Sequence, residues 1–332
     1  MPRRLLMIRL SAIGDVINTL PSISLLRRHA PDDYIAFAVE DKAKDVILHH
    51  PELDDVIIFP RRRWRRMLQR WDVVPLLGEL FRYFRMLRRR RFDVALDFQG
   101  NLKGAMHSWL CGAARRLGFA KGYAYEKNHW FSTEQVVPPS DKPHRVDKFA
   151  SLLQPLGIEA ASLDYCLPSS KGRMAEFIRD HRRAIVIHPG TSEHGVEKRW
   201  PVERYGELAA RAAELELTPI VTWGPGERPM AEAVCAHSRG KAVLAPPTTS
   251  LLDLAEIIRG SLAFVSADTG PMHLAAACRI PCIALFGPKD PATYRPYGTL
   301  HTVIYRPEGM SHITVDEVLR AVSQKIGAYE RV

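Results

Sequence analysis

Asp268-Thr269-Gly270-Pro271-Met272-His273 places a carboxylate, a hydroxyl and a glycine where a helix would begin. The apolar run Leu262-Ala263-Phe264-Val265 precedes it and Leu274-Ala275-Ala276-Ala277-Cys278 follows, which reads as buried strand, tight turn and helix start. Thr269 is the expected N-cap and Pro271 is tolerated in the first turn. Unpaired N–H groups and the helix dipole suit such a terminus to an anion such as a phosphate, with an ordinary strand-to-helix turn as the alternative. Three other strand ends in the second half carry related chemistry: His188-Pro189-Gly190-Thr191-Ser192, Trp223-Gly224-Pro225-Gly226-Glu227, and Pro246 to Thr249. With Lys198, Glu227 and Asp268 they offer what a nucleotide diphosphate sugar needs. Hydroxyls and N–H groups take phosphate oxygens, the ammonium offsets their charge, and carboxylates accept from sugar hydroxyls. No GxGxxG follows a strand and no GxxxxGK[ST] occurs, which argues against a dinucleotide redox cofactor or a P-loop site.

The elements that must position these residues alternate. In the first half, Leu5–Ile8, Tyr34–Val39, Val56–Phe59, Asp93–Asp97 and Arg116–Phe119 read as strands, with helices over 16–29, 41–49, 101–111 and 144–156. In the second half, Ala184–His188, Pro219–Thr222, Ala242–Leu244, the strand before Asp268 and Cys282–Phe286 are strands. Helices are expected over 202–216, 228–237, 250–259 and 315–326. Two α/β domains with open, doubly wound parallel sheets follow, divided as 1–160 and 161–332, the last helix being a candidate to pack back on the first domain. In such sheets ligands sit beyond the carboxyl ends of strands, where every motif above lies.

At 332 residues, 46% hydrophobic and 25% charged, the chain can bury two real cores. Its five scattered cysteines suggest neither a disulfide framework nor a zinc site, which fits a reducing cytoplasm. Arg9 and Asp15 interrupt any signal-peptide core, and no apolar run is long enough to span a bilayer. The net charge of +10 is concentrated: residues 61–91 hold 12 arginines against Asp72 and Glu79. Val73, Leu77, Leu80, Phe84 and Leu87 recur there at helical spacing and form the expected apolar stripe. Three readings of the window stand side by side. One is a solvated basic face over a core stripe, another a nucleic-acid surface with interleaved aromatics, and the third a seat for an anionic glycolipid at a membrane.

His188-Pro189-Gly190 with Lys198-Arg199-Trp200-Pro201, Trp223 to Glu227, and Asp268 to His273 resemble the ADP-heptose:lipopolysaccharide heptosyltransferases, glycosyltransferase family 9. Leu10-Ser11-Ala12-Ile13-Gly14-Asp15-Val16 is similar to that family's opening motif, and Arg61–Arg66 and Asp97–Lys103 look most like its heptosyltransferase I branch. The resemblance implies a GT-B fold, two Rossmann-like domains with the active site in the cleft between them. It implies inversion at the sugar carbon with no metal and no cofactor, ADP-heptose being a substrate. It also implies an anionic Kdo-lipid A acceptor at the cytoplasmic surface of the inner membrane, and no nucleic acid partner. A later-acting relative within the family is the nearest alternative; a non-catalytic binder of nucleic acid or anionic lipid is the alternative outside it.

Asp15 has two possible roles, capping the helix that follows or taking the acceptor hydroxyl's proton; the resemblance implies the second. It also implies Thr191 and Ser192 at the donor phosphates, Lys198 at the diphosphate, Glu227 at the ribose, Asp268 at the heptose, and Thr269, Gly270 and His273 at the phosphate end. For Lys198 a solvated surface lysine, and for His273 a core histidine, are the alternatives. Arg61, Arg62, Arg63, Arg65, Arg66, Gln99 and Lys103 are the acceptor candidates.

Overall fold

Leu5-Leu6-Met7-Ile8 is fully buried, as a parallel strand covered by helices on both faces must be. In the computed structural model, which describes residues 2–159, 163–169, 172–191 and 195–329, this run lies in β1 (Arg4–Ile8), an inner strand of a parallel sheet. The chain divides into two units, Met1–Pro168 and Ser169–Val332. In the first unit β1 is followed by α1 (Ile13–His29), β2 (Tyr34–Glu40), β3 (Asp55–Phe59), α2 (Arg61–Gln69) and α3 (Val73–Arg89). Then come β4 (Val94–Asp97), α4 (Leu102–Leu110), β5 (Arg115–Phe119), β6 (Glu134–Val136) and α5 (Arg145–Ser151). The sheet order is β3-β2-β1-β4-β5-β6, with every pair parallel.

The second unit opens with α6 (Ala175–Asp180), β7 (Ala184–His188), α7 (Val202–Glu214), β8 (Thr218–Val221), α8 (Arg228–His237) and β9 (Val243–Leu244). It continues with α9 (Leu251–Arg259), β10 (Ala263–Ala267), α10 (Gly270–Ala277), β11 (Cys282–Phe286), β12 (Thr302–Tyr305) and α11 (Val315–Tyr329). Its order, β12-β11-β10-β7-β8-β9, is again all parallel. Numbered within each unit and read from the same side, both sheets run 3-2-1-4-5-6, the doubly wound order with its reversal between the first and fourth strands. The last helix packs on its own unit: Val318, Ala321, Val322 and Ile326 join the core built on β7, β10 and β11.

Four local expectations change. The stretch expected as a helix over 41–49 forms only a 3-10 turn, Lys44–Val46, because His49 takes a left-handed φ of 68° just before Pro51. The strands β6 and β12 and the helix α6, absent from the expected elements, are three, four and six residues long, too short to show a period. Helix α1 starts earlier than expected and continues through Pro21, with Ala12 at the N-cap, so Asp15 lies inside the first turn and not at the cap position. Thr269 does occupy the N-cap position of α10, yet its side chain makes no capping hydrogen bond. Where Ser250 precedes α9 the cap is complete: its hydroxyl accepts from the Asp253 N–H, and the Asp253 carboxylate accepts from the Ser250 N–H.

Candidate active site

In the first unit the two strands flanking the reversal, β1 and β4, end at Arg9 and at Asp97-Phe98-Gln99. Arg9 is buried; its guanidinium donates to the Phe98 carbonyl at 2.6 Å and pairs with one oxygen of Asp15. Arg145, at the start of α5, stands 3.4 Å from the other Asp15 oxygen. Lys148, three residues on and therefore on the same face of that helix, donates to the Tyr123 carbonyl at 2.6 Å and lies 4.5 Å from the Phe119 ring centre. Burial, reinforced by the charges of Arg145 and Arg9, brings the Lys148 pKa down to about 8. These four side chains share a cavity of 250 Å³ with Ser11, Gln99 and Tyr123. Three cations around one carboxylate leave a positive surplus, so the cavity suits an anionic ligand.

The floor of this cavity is braced from behind. Gln99 turns its carbonyl oxygen toward the Leu10 and Ser11 N–H groups, at 2.9 and 3.2 Å, and so fixes the turn that launches α1. Asp97 accepts from the Gln99 and Gly100 N–H groups (2.9 and 3.1 Å) and from the Asn128 side-chain amide (2.6 Å). Burial pushes its pKa up to about 6, against the pull of those hydrogen bonds. A Cβ on Gly104 would lie 2.2 Å from an Asp97 oxygen, so glycine is what lets α4 approach the carboxylate.

The acceptor candidates separate. Gln99 lines the cavity, whereas Arg61 and Lys103 meet instead at Glu40, whose side chain is 1% exposed, at 3.0 and 3.7 Å. The Arg62 N–H donates to Asp41 at 3.1 Å. Arg63 pairs with Glu79, which also accepts from the Trp64 indole at 2.7 Å. Arg65 and Arg66 are exposed on α2. The arginines thus form a surface around one buried carboxylate and one shielded one, not a single pocket.

In the second unit the equivalent strands are β7 and β10. Asp268, directly after β10, is mostly buried and accepts from Lys198 at 2.8 Å and from Lys289 at 2.9 Å. Burial works to raise its pKa, but the two ammonium groups outweigh burial and hold it below the usual carboxylate range. Lys198 is held in place by the motif around it. Trp200 is buried, donates to the Ile313 carbonyl at 3.0 Å and packs edge-on against Tyr205, while Arg199 donates to the Thr191 hydroxyl at 2.8 Å. Glu227 accepts from the Gly224 N–H at 2.7 Å and stands 3.5 Å from His188, and a Cβ on Gly190 would fall 2.2 Å from its carboxylate. Gly270 opens α10, His273 is buried in it, and the Thr269 hydroxyl is buried without a hydrogen-bond partner among the described residues. Ser192 lies outside the described residues.

Sequence reasoning missed Arg9, Arg145, Lys148 and Lys289. Each had a readable signal: Arg9 ends the first apolar strand, Arg145 and Lys148 share a helix face, and Lys289 follows β11 by three residues. What no local pattern gives is that they converge on Asp15 and Asp268.

Residues 80–318 match the family model for glycosyltransferase family 9 (heptosyltransferase). Lipopolysaccharide heptosyltransferase 1 of Pseudomonas aeruginosa is 32% identical over 303 residues, covering 89% of this chain and 81% of that one. The enzyme of the same name from Escherichia coli strain K12 is 27% identical, covering 96% and 99%. The solved structure of E. coli heptosyltransferase WaaC with ADP superposes with a TM-score of 0.82 at 25% identity, covering 97% of this chain and 99% of that one. Two 3-2-1-4-5-6 sheets, each with a polar site at its reversal, are thus the GT-B architecture, and the chain belongs to glycosyltransferase family 9, the heptosyltransferases.

Proposed function

We propose that this enzyme transfers L-glycero-D-manno-heptose from ADP-heptose to a Kdo residue of the lipid A-linked inner core, with inversion at the anomeric carbon. The observation that carries the reading is Asp15, held between Arg9 and Arg145 in a cavity that Lys148 makes more cationic. A Kdo carboxylate entering there exchanges hydration for guanidinium pairing, and its sugar hydroxyl is then presented to the Asp15 carboxylate. The hydroxyl oxygen attacks the anomeric carbon, Asp15 takes its proton, and the bond to the diphosphate breaks with its electron pair leaving on ADP. On the donor side Lys198 and Lys289 carry the charge for the diphosphate, and Asp268, which holds both, is the acceptor for heptose hydroxyls. Thr191, Ser192, Thr269, Gly270 and His273 complete the phosphate side, and Glu227 takes the ribose. Arg61, Arg62, Arg63, Arg65, Arg66 and Lys103 form the outer acceptor surface. No metal or other cofactor takes part in this scheme, so turnover is expected to persist in a chelator.

Similarity to lipopolysaccharide heptosyltransferases supports the lipopolysaccharide acceptor, and similarity to the structure holding ADP supports the donor nucleotide. Peripheral residence at the cytoplasmic face of the inner membrane follows from that acceptor; among the described residues no helix is long and apolar enough to cross a membrane. The test supplies ADP-heptose with either heptose-less Kdo-lipid A or an acceptor already carrying one heptose, and measures ADP release. The proposal expects release with the first acceptor only, and a loss of about 10²–10⁴ in kcat for Asp15→Asn, with folding kept. Release only with the heptosylated acceptor would assign a later step, and an active Asp15→Asn enzyme would remove the base.

A further inference from the structure

Helix α3 carries two apolar faces, where the sequence shows one period. Leu76, Leu80, Tyr83, Phe84 and Leu87 turn inward, onto the core that also holds Trp64 and Phe92. Val74, Leu77 and Phe81, themselves spaced by three and four, turn outward and are 80%, 59% and 65% exposed. At the turn between α2 and α3 the outward face continues into Trp71, 85% exposed, and Leu68, 59% exposed. Val73 and Leu77, expected in the core stripe, are thus on the surface. A contiguous run of large apolar groups held in water on one helical hairpin is the mark of an interaction surface.

The charges beside it identify the occupant. Arg82, Arg85 and Arg89 repeat the same three-and-four spacing on the neighbouring strip of α3, all exposed, and the Arg85 guanidinium lies 5.9 Å from the Phe81 ring. Of the two acids in residues 61–91, Glu79 is paired with Arg63. An apolar strip edged by arginine, with an exposed tryptophan at its end, matches the boundary of an anionic bilayer: hydrocarbon for the strip, headgroup phosphates for the guanidinium groups, and the interface for the indole.

We propose that the α2–α3 hairpin is an interfacial membrane anchor that lies in the surface of an anionic bilayer with Leu68, Trp71, Val74, Leu77 and Phe81 immersed. This deepens, and in its biological purpose rests on, the reading that the acceptor is lipid-linked. None of the five immersed residues lines the Asp15 cavity, so anchoring and the chemistry proposed at Asp15 are separable.

The test measures co-sedimentation of the full chain with phosphatidylglycerol/phosphatidylethanolamine vesicles and with phosphatidylcholine vesicles. It compares wild type with W71S/V74S/L77S/F81S and with R82Q/R85Q/R89Q. Wild type is expected on the anionic vesicles, and the apolar variant to lose about tenfold or more in partition even at low salt. The arginine variant is expected to lose binding to anionic vesicles alone. Turnover of a deacylated, water-soluble acceptor should stay at the wild-type level in the apolar variant, which also reports that it folds. Equal vesicle binding by wild type and apolar variant overturns the proposal. So does equal wild-type binding to phosphatidylcholine, or a wild-type dimer that the apolar variant turns into a monomer, which would give the strip to a second copy. If wild type transfers no heptose to any acceptor yet binds vesicles as described, the functional reading falls and the anchor stands.

Discussion

The two units share a strand order and place their polar residues at the same topological point, but they use charge in opposite ways. In the first, one carboxylate, Asp15, is approached by cations from the end of β1 and from α5. In the second, one carboxylate, Asp268, gathers two lysines that follow β7 and β11. Asp15 is therefore a carboxylate set among fixed cations, whereas Asp268 holds two ammonium groups to itself; on the proposed reading the first takes a proton and the second keeps charge where a diphosphate would need it. The same backbone frame leaves the division of labour to a handful of strand-end side chains.

The sharpest way to break that comparison is to remove one cation from each side. Lys198→Ala should raise the KM for ADP-heptose by about 10- to 100-fold and leave the KM for acceptor within about twofold. Arg145→Ala should do the reverse, since each removes one partner of a partly buried charge group. Steady-state kinetics with each substrate varied in turn checks this. A matching rise in both constants from either variant would mean that the two sites do not bind the two substrates separately.

A smaller effect sharpens the parallel between the braces. Gly104 lets α4 reach Asp97 and Gly190 lets the strand end reach Glu227, each with a Cβ position 2.2 Å from the carboxylate. Ala at either place must displace that carboxylate, and about 1–3 kcal/mol of stability is expected to go with it in urea titration. The kinetic signatures should differ. Gly104→Ala disturbs Asp97 and through it Gln99 and the turn before Asp15, so kcat falls. Gly190→Ala disturbs Glu227 and the loop at Gly224, so the KM for donor rises.

The frame was legible in the sequence because parallel strands buried on both faces read as apolar runs, and most of the runs found are strands. The strand-end motifs of the second unit were legible because their chemistry is local, a strand end followed within a few residues by hydroxyl, glycine or acid. Convergence was not: Lys198 and Lys289 are 91 positions apart and meet only at Asp268. Asp15 could be read as a cap because a carboxylate near a helix start has that use; that it sits in the third helical position facing two guanidinium groups is a tertiary fact the local sequence does not carry. In α3 the period correctly announced a helix, but a period does not say which of two apolar faces meets the core.

The smallest expected effect comes from the titration of one lysine beside Asp15. Lys148 has its pKa brought from 10.5 to about 8 by burial and by Arg145 and Arg9. Below that pH it is the third cation of the Asp15 cavity, and above it the cavity loses one charge. The KM for acceptor is therefore expected to rise about three- to tenfold between pH 7 and 9. On the donor side the two lysines move apart, burial being outweighed by Asp268 at Lys198, which is raised, while burial and the Lys198 charge lower Lys289, so the Lys148 effect is read in the acceptor KM. Stability must move the other way. A lysine whose folded pKa is depressed binds fewer protons than the unfolded chain between about 8 and 10.5, so the folded state gains as pH rises through that window and the gain is absent below it. An acceptor KM that climbs while urea stability also climbs is a signature that general alkaline unfolding cannot give. Lys148→Arg, charged throughout, should flatten the acceptor profile; if the wild-type slope survives in that variant, another group is titrating and Lys148 is not part of the acceptor field.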